Sequence, residues 1–393
     1  MSARLLALLS GASLVIAGVV AGVPTAAHAA TPTCRGLTAT IVGTAGDDDL
    51  DGTPLADVVW LGPGNDKFRG DSGDDVICGG SGRDSINAGY GDDIVNGEGG
   101  ADKIAGGPGK DYLLGSTGAD AFAGGEGDDR INGGRDKDLL TYLTSLHPIT
   151  VDGAAGTVDG DGHDVYVQVE TIQGTADADR MVGGPGSDHF VGAVGDDMLI
   201  GNGGDDILEA GGGRAYGGAG DDLLIASRSI VRGDAGRDVF QLSLGARGYG
   251  GAGDDSFRLG IGKSYAFGED GLDSFLVQTR RAGPYASGGA GDDQVSFETF
   301  DRRVSIDLGR GKARWDSSRV AELRSINVAY GTRYGDLIRG TSGNDYLAGN
   351  AGPDTLYGLA GTDILDGGTA RDIGYGGSGG DICSTEVRRG CEV

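Results

Sequence analysis

Residues 79–87, 106–114 and 124–132 read GGSGRDSIN, GGPGKDYLL and GGEGDDRIN: glycine at places one, two and four, aspartate at six, an apolar residue at eight. They sample a nine-residue phase that opens at Gly43 and runs without a gap to Thr141. The sixth place is Asp48, Asp57, Asp66, Asp75, Asp84, Asp93, Asp102, Asp111, Asp120, Asp129 and Asp138. The eighth is Leu50, Val59, Phe68, Ile77, Ile86, Val95, Ile104, Leu113, Phe122, Ile131 and Leu140. Acids make up 59 of 393 residues, so an unbroken run of aspartate this long arises by chance on the order of once in a billion trials, and the period is architectural.

Each unit reads as a turn followed by a very short strand. The glycines let the backbone curl and aim its carbonyl oxygens at a common centre. In the tail, only the apolar residue points inward. One unit covers half a coil, and two make a full coil rising about 4.8 Å, the spacing of paired strands. Residues eighteen apart therefore stack. Asp48, Asp66, Asp84, Asp102, Asp120 and Asp138 line one edge; Asp57, Asp75, Asp93, Asp111 and Asp129 line the other.

Carboxylates stacked this closely repel by about 1 kcal/mol per pair in water, and more in a drier groove. A cation between the rungs relieves that. Carboxylate plus carbonyl oxygen is a hard donor set that suits Ca²⁺ with six to eight oxygens at roughly 2.3–2.6 Å; Mg²⁺, which gives up its waters reluctantly, is the near competitor. On these residues the chain resembles the RTX, or hemolysin-type, calcium-binding nonapeptide repeat proteins. The resemblance implies a parallel β-roll, an all-β solenoid, with multiple Ca²⁺ ions held between coils by position-six aspartates and backbone carbonyls.

The pattern breaks twice and returns twice. Residues 142–173 form a first insert with two strand-like alternations. A second, irregular array (174–296) places Asp179, Asp188, Asp197, Asp206, Asp222, Asp238, Asp255, Asp273 and Asp293 at position six. Its later spacers lack the glycine–aspartate pattern, which suggests that one edge keeps metal sites while the other is built without them. A second insert (297–330) mirrors the first. A third array (331–384) adds Asp336, Asp345, Asp354, Asp363, Asp372 and Asp381. Short caps are expected at 30–42 and 385–393. Counting position-six pairs one coil apart gives roughly 15–20 ions.

The composition agrees. The chain has 81 glycines and a formal charge of −27. That much glycine excludes a helical bundle, since each interior glycine costs about 1 kcal/mol of helix stability. Nine prolines exclude collagen. The charge disfavours nucleic acid and anionic membrane surfaces as partners and favours cations.

Residues 1–29 read as a signal peptide: Arg4, an apolar run from Leu5 to Val23, and an Ala27-His28-Ala29 cleavage pattern. A retained anchor is the competing reading; Gly11, Gly18 and Gly22 interrupt the run and favour removal. The expected location is extracellular, with no membrane span in the mature chain. Four cysteines in an exported chain suggest two disulfides, Cys34–Cys78 and Cys383–Cys391 by proximity, although three pairings are possible. The close paired spacing of zinc ligands is missing.

Catalytic strings dissolve into the repeat. Gly70-Asp71-Ser72-Gly73 and Gly376-Gly377-Ser378-Gly379-Gly380 are in-phase unit starts, and no H-E-x-x-H occurs. His147, His163 and His189 are expected in exposed loops or turns. The leading functional expectation is a non-enzymatic calcium-binding structural or interaction module that folds on binding. The alternative is a polysaccharide hydrolase or lyase using insert residues such as His147, His163, Arg302, Arg303 and Asp307. Plain disorder is a third reading, opposed by the apolar residue held at position eight.

Overall fold

The computed structural model describes residues 31–278 and 283–391; the signal segment expected over 1–29 lies outside them. Among the described residues every regular element is a strand. The short x-U-x tails pair in parallel with the tails eighteen residues away. Phe68 sits opposite Ile86, and Ile77 opposite Val95. Two parallel sheets face one another across a narrow core, one per half-coil, as the nine-residue period requires.

The two sheets differ in strand length. On one face the strands are three residues long, as at Ser85–Asn87 and Lys103–Ala105. On the other they reach six, as at Val76–Ser81 and Ile94–Gly99. Pairing there continues through the next unit's opening residues, with Gly80 opposite Glu98.

The core is two columns of single side chains. Val59, Ile77, Val95, Leu113 and Ile131 face Phe68, Ile86, Ile104, Phe122 and Leu140, all buried. In the second array the columns become unequal. Phe240, Phe257 and Phe275 stack at centroid spacings of 4.4 and 5.0 Å, while Ala215, Val231, Gly248 and Ala266 stand on the other sheet. A side chain on Gly248 would meet Phe240 and Phe257 at 3.2 Å. Large therefore faces small, and the total volume is kept. Replacing Phe257 with alanine is expected to cost about 3–5 kcal/mol. Denaturant unfolding in saturating calcium measures this, and a loss under about 1 kcal/mol would contradict the stacked core.

Loosened spacing in the second array reflects coils of unequal size. Successive aspartates there lie 16, 16, 17, 18 and 20 residues apart from Asp206 to Asp293. On the opposite edge, Gly213, Ser229, Ala246 and Ser264 stand immediately before the strands, where aspartate stands elsewhere. Without a metal-site turn to build, that edge changes length freely.

Both inserts continue the stack. Each is an antiparallel excursion: Thr150–Asp152, Thr157–Asp159 and His163–Val167 in the first, and Ser305–Asp307, Lys312–Arg314 and Val320–Arg324 in the second. Their outer strands pair in parallel with the flanking arrays, Ile131 with Tyr166 and Val151 with Met181. The disulfides are Cys34–Cys78 and Cys383–Cys391, so all four sulfurs are bonded and none is left as a zinc ligand. The first ties the opening hairpin of Thr33–Cys34 and Leu37–Thr38 to the roll.

Candidate metal centres

The position-six side chains sit at the edges of the sheets, tucked under the turns rather than splayed outward. All but Asp48 and Asp188 are buried. From the second rung of each ladder onward, one carboxylate oxygen is used to stitch coils together. The backbone N–H of Asp48 donates to Asp66 Oδ1, that of Asp66 to Asp84 Oδ1, and that of Asp84 to Asp102 Oδ1, at 2.7–2.9 Å. The other edge repeats this from Asp57 through Asp75, Asp93 and Asp111 to Asp129. Corresponding ladders run from Asp179 to Asp197, from Asp188 through Asp206 to Asp293, from Asp336 to Asp372, and from Asp345 to Asp381.

Position five carries a parallel stitch. The Asp92 N–H donates to Asp74 Oδ1, and the Lys110 N–H to Asp92 Oδ1. The Asp-Asp pairs thus divide their labour, with the outer acid joining turns in solvent and the inner one facing the groove.

The second oxygen decides the chemistry. In twenty of the position-six aspartates Oδ2 is buried and has no hydrogen-bond donor. An unpartnered buried carboxylate oxygen costs several kcal/mol, and a whole file of them is a strong demand for positive charge. Backbone oxygen lies close to these bare carboxylate oxygens. A Cβ built on Gly79 would lie 2.6 Å from Asp84 Oδ2 and 2.8 Å from the Gly97 carbonyl oxygen of the next coil. Carboxylate and carbonyl oxygen thus approach each other beside the position-one backbone, and the same arrangement recurs at Gly106, Gly115, Gly201 and Gly358. Among the described residues no three His, Cys, Asp or Glu side chains gather as a ligand group; the donor set mixes one carboxylate with backbone oxygen. Such oxygen-only donors fit calcium.

Replacing Gly79 with alanine is expected to weaken calcium binding at that coil without changing the charge. The count of bound ions by calorimetry tests it, and an unaltered isotherm would show that the space is not a metal site.

In the metal-free chain these carboxyls hold protons abnormally well. Burial is the leading cause, the N–H bond to Oδ1 opposes it, and the charge of neighbouring rungs adds to it. Asp75, Asp84 and Asp138 are pushed up to about 6; Asp93, Asp102, Asp111 and Asp129 to about 7; Asp255 to about 8.

The sequence reading missed three ladder acids. Asp164 Oδ1 accepts from the Asp129 N–H, Glu170 from the Asp138 N–H, and Glu386 from the Asp372 N–H. They close the ladders where an array ends. Two carried a signal: with the phase restarted, 159–167 reads DGDGHDVYV and 165–173 reads VYVQVETIQ, with an acid sixth and an apolar residue eighth. Glu386 had none.

Four of the five insert residues considered for catalysis have local ion-pair partners. His147 Nδ1 lies 2.6 Å from Asp161, and His163 Nδ1 2.6 Å from Asp159. Arg302 lies 3.4 Å from Asp301, and Asp307 3.7 Å from Arg310. His163 and His189 are not in loops but open the strands His163–Val167 and His189–Val191, with His189 between Thr171 and Glu209.

A parallel roll whose turns present files of buried, donor-less carboxylate oxygens is a calcium-binding β-roll. The RTX calcium-binding nonapeptide repeat matches within residues 42–140, 169–214 and 330–383, about half the chain. The protein belongs to that family. No curated protein sequence matches it. Among solved structures, a hyperactive, Ca²⁺-dependent, β-helical antifreeze protein from an Antarctic bacterium is similar at 16% identity, over 80% of this chain and 84% of that one, with a TM-score of 0.24.

Proposed function

We propose that this is a secreted structural or interaction module that folds as it binds calcium between its coils. One observation carries the reading: the buried, donor-less Oδ2 atoms of twenty position-six aspartates. Bound calcium supplies the positive charge they lack. The residues that would hold it are those aspartates together with position-one carbonyls of the following coil. A chain of charge −27 with 81 glycines repels itself and loses much entropy on folding, so binding free energy becomes folding free energy. Affinity in the roughly 10⁻⁴–10⁻³ M range of extracellular modules suits a structural ion. The signal-like sequence of residues 1–29 and the two disulfides support export. Every part of the described chain is coil, insert or cap, which supports a non-enzymatic role. The test is a calcium titration followed by calorimetry and far-UV circular dichroism together. Heat and β signal should develop in step, and heat without a spectral change would reject folding on binding.

A further inference from the structure

The repeat turns exist in two states, and the backbone angle at position two sorts them. In the twenty units with a donor-less Oδ2, the position-two residue has positive φ. Glycine adopts this readily, as at Gly80 (104°), Gly107 (113°) and Gly125 (120°). Yet Asp71, Glu98, Ser116, Ala193, Asn202, Asp234, Glu269, Asn350 and Leu359 also hold it, at 60–84°. For a non-glycine residue that conformation costs of order 1–3 kcal/mol and marks a site whose surroundings impose it.

In the other six units position two is outside that region, and its N–H turns onto the carboxylate. Thr44, Thr53, Thr175, Gly184, Thr332 and Thr341 donate to Oδ2 of Asp48, Asp57, Asp179, Asp188, Asp336 and Asp345 at 2.5–2.8 Å. Each of the five threonine hydroxyls also reaches its aspartate. These six are the first two units of each array, the ones with no position-six aspartate one coil before them.

Place in the stack selects the state. GGPGKDYLL (106–114) and GGPGSDHFV (183–191) open identically, yet Gly107 has φ of 113° and leaves Asp111 Oδ2 bare, while Gly184 caps Asp188. Threonine at the other five starts secures the capped state, because a β-branched residue resists positive φ.

We propose that these six turns are metal-free caps, in which an N–H and usually a threonine hydroxyl occupy the position of the cation, and that calcium is confined to the twenty open turns. An aspartate whose oxygens are already taken by donors faces N–H and O–H hydrogens where an ion would need lone pairs. Each array can then begin its stack before any ion binds, and the first open coil is laid on a preformed one. This rests on the calcium reading above and narrows it.

The test is diffraction at a wavelength with strong calcium anomalous signal, from crystals of the full mature chain grown in 10 mM or more Ca²⁺, a saturating level for roughly millimolar sites. Anomalous peaks are expected beside the open aspartates and none beside Asp48, Asp57, Asp179, Asp188, Asp336 or Asp345. Peaks of equal height at those six overturn the proposal and leave calcium binding standing; no peaks anywhere overturn both. A solution arm compares bound calcium per chain by atomic emission. Changing the six capped aspartates to asparagine should leave the wild-type count, while changing Asp75, Asp84, Asp93, Asp102, Asp111 and Asp120 should lose about six ions. Equal losses in the two variants reject the caps.

Discussion

Chelation of calcium at pH 7.5 is expected to convert the roll into an expanded chain, with near-complete loss of the β signal in far-UV circular dichroism and a larger Stokes radius. Removing the ions leaves buried carboxylates stacked one coil apart along both edges, each with a desolvated oxygen and no counter-charge. The core cannot offset this. It contributes little more than one large side chain per unit, and in the later coils of the second array one column narrows to Ala215, Val231, Gly248 and Ala266. Each coil touches only its neighbours, so stability is a sum of coil and interface terms, and losing ions from several adjacent interfaces unzips the stack. Return on adding calcium should be steep, with a Hill coefficient above one, because each ion joins two coils. The disulfides stay closed throughout, so a fixed bond topology accompanies a large spectral change. A spectrum in excess EDTA that matches the calcium form would show that the ladders tolerate their own charge.

How far the amino-acid order reveals this arrangement depends on which residues carry the information. Period, register and core columns are legible because nearly every unit places an apolar residue at its eighth position, so Ile77 above Val95 follows from counting. The aspartate files were legible for the same reason. The inserts read as strands, but their antiparallel course is not visible, since Thr157–Asp159 has no partner at a fixed spacing. Asp164 and Glu170 were hidden because the hairpin displaces their phase. The division into capped and open turns was hidden more deeply. Threonine at position two announces five of the six caps, but Gly184 shows that the state belongs to the stack and cannot be read from the unit alone.

The same burial sets a pH dependence opposite to that of most acidic proteins. Carboxyls such as Asp93, Asp111 and Asp129 rise to about 7 in the fold, and Asp255 to about 8, from a starting value of 3.8. Desolvation is the main cause. The folded, metal-free chain therefore binds more protons than the unfolded one between about pH 4 and pH 8, and the linkage relation makes its stability fall as pH rises through that window. The contribution is fully present below pH 3.8 and is lost above the folded values. In EDTA, lowering the pH from 7.5 to 5 should thus restore part of the β signal, with protons standing in for calcium at Oδ2. At pH 5 the chain is still above its pI of 4.3 and so remains anionic. Calcium and protons compete for the same oxygens, so apparent calcium affinity should drop at least roughly tenfold between pH 7.5 and pH 5.5. Dichroism in EDTA and calcium isotherms across this range measure the two effects. If the metal-free β signal instead declined as the pH fell from 7.5 to 5, the rungs would be paired carboxylates already satisfied without metal. The bare oxygens could then not be what draws calcium into the coils.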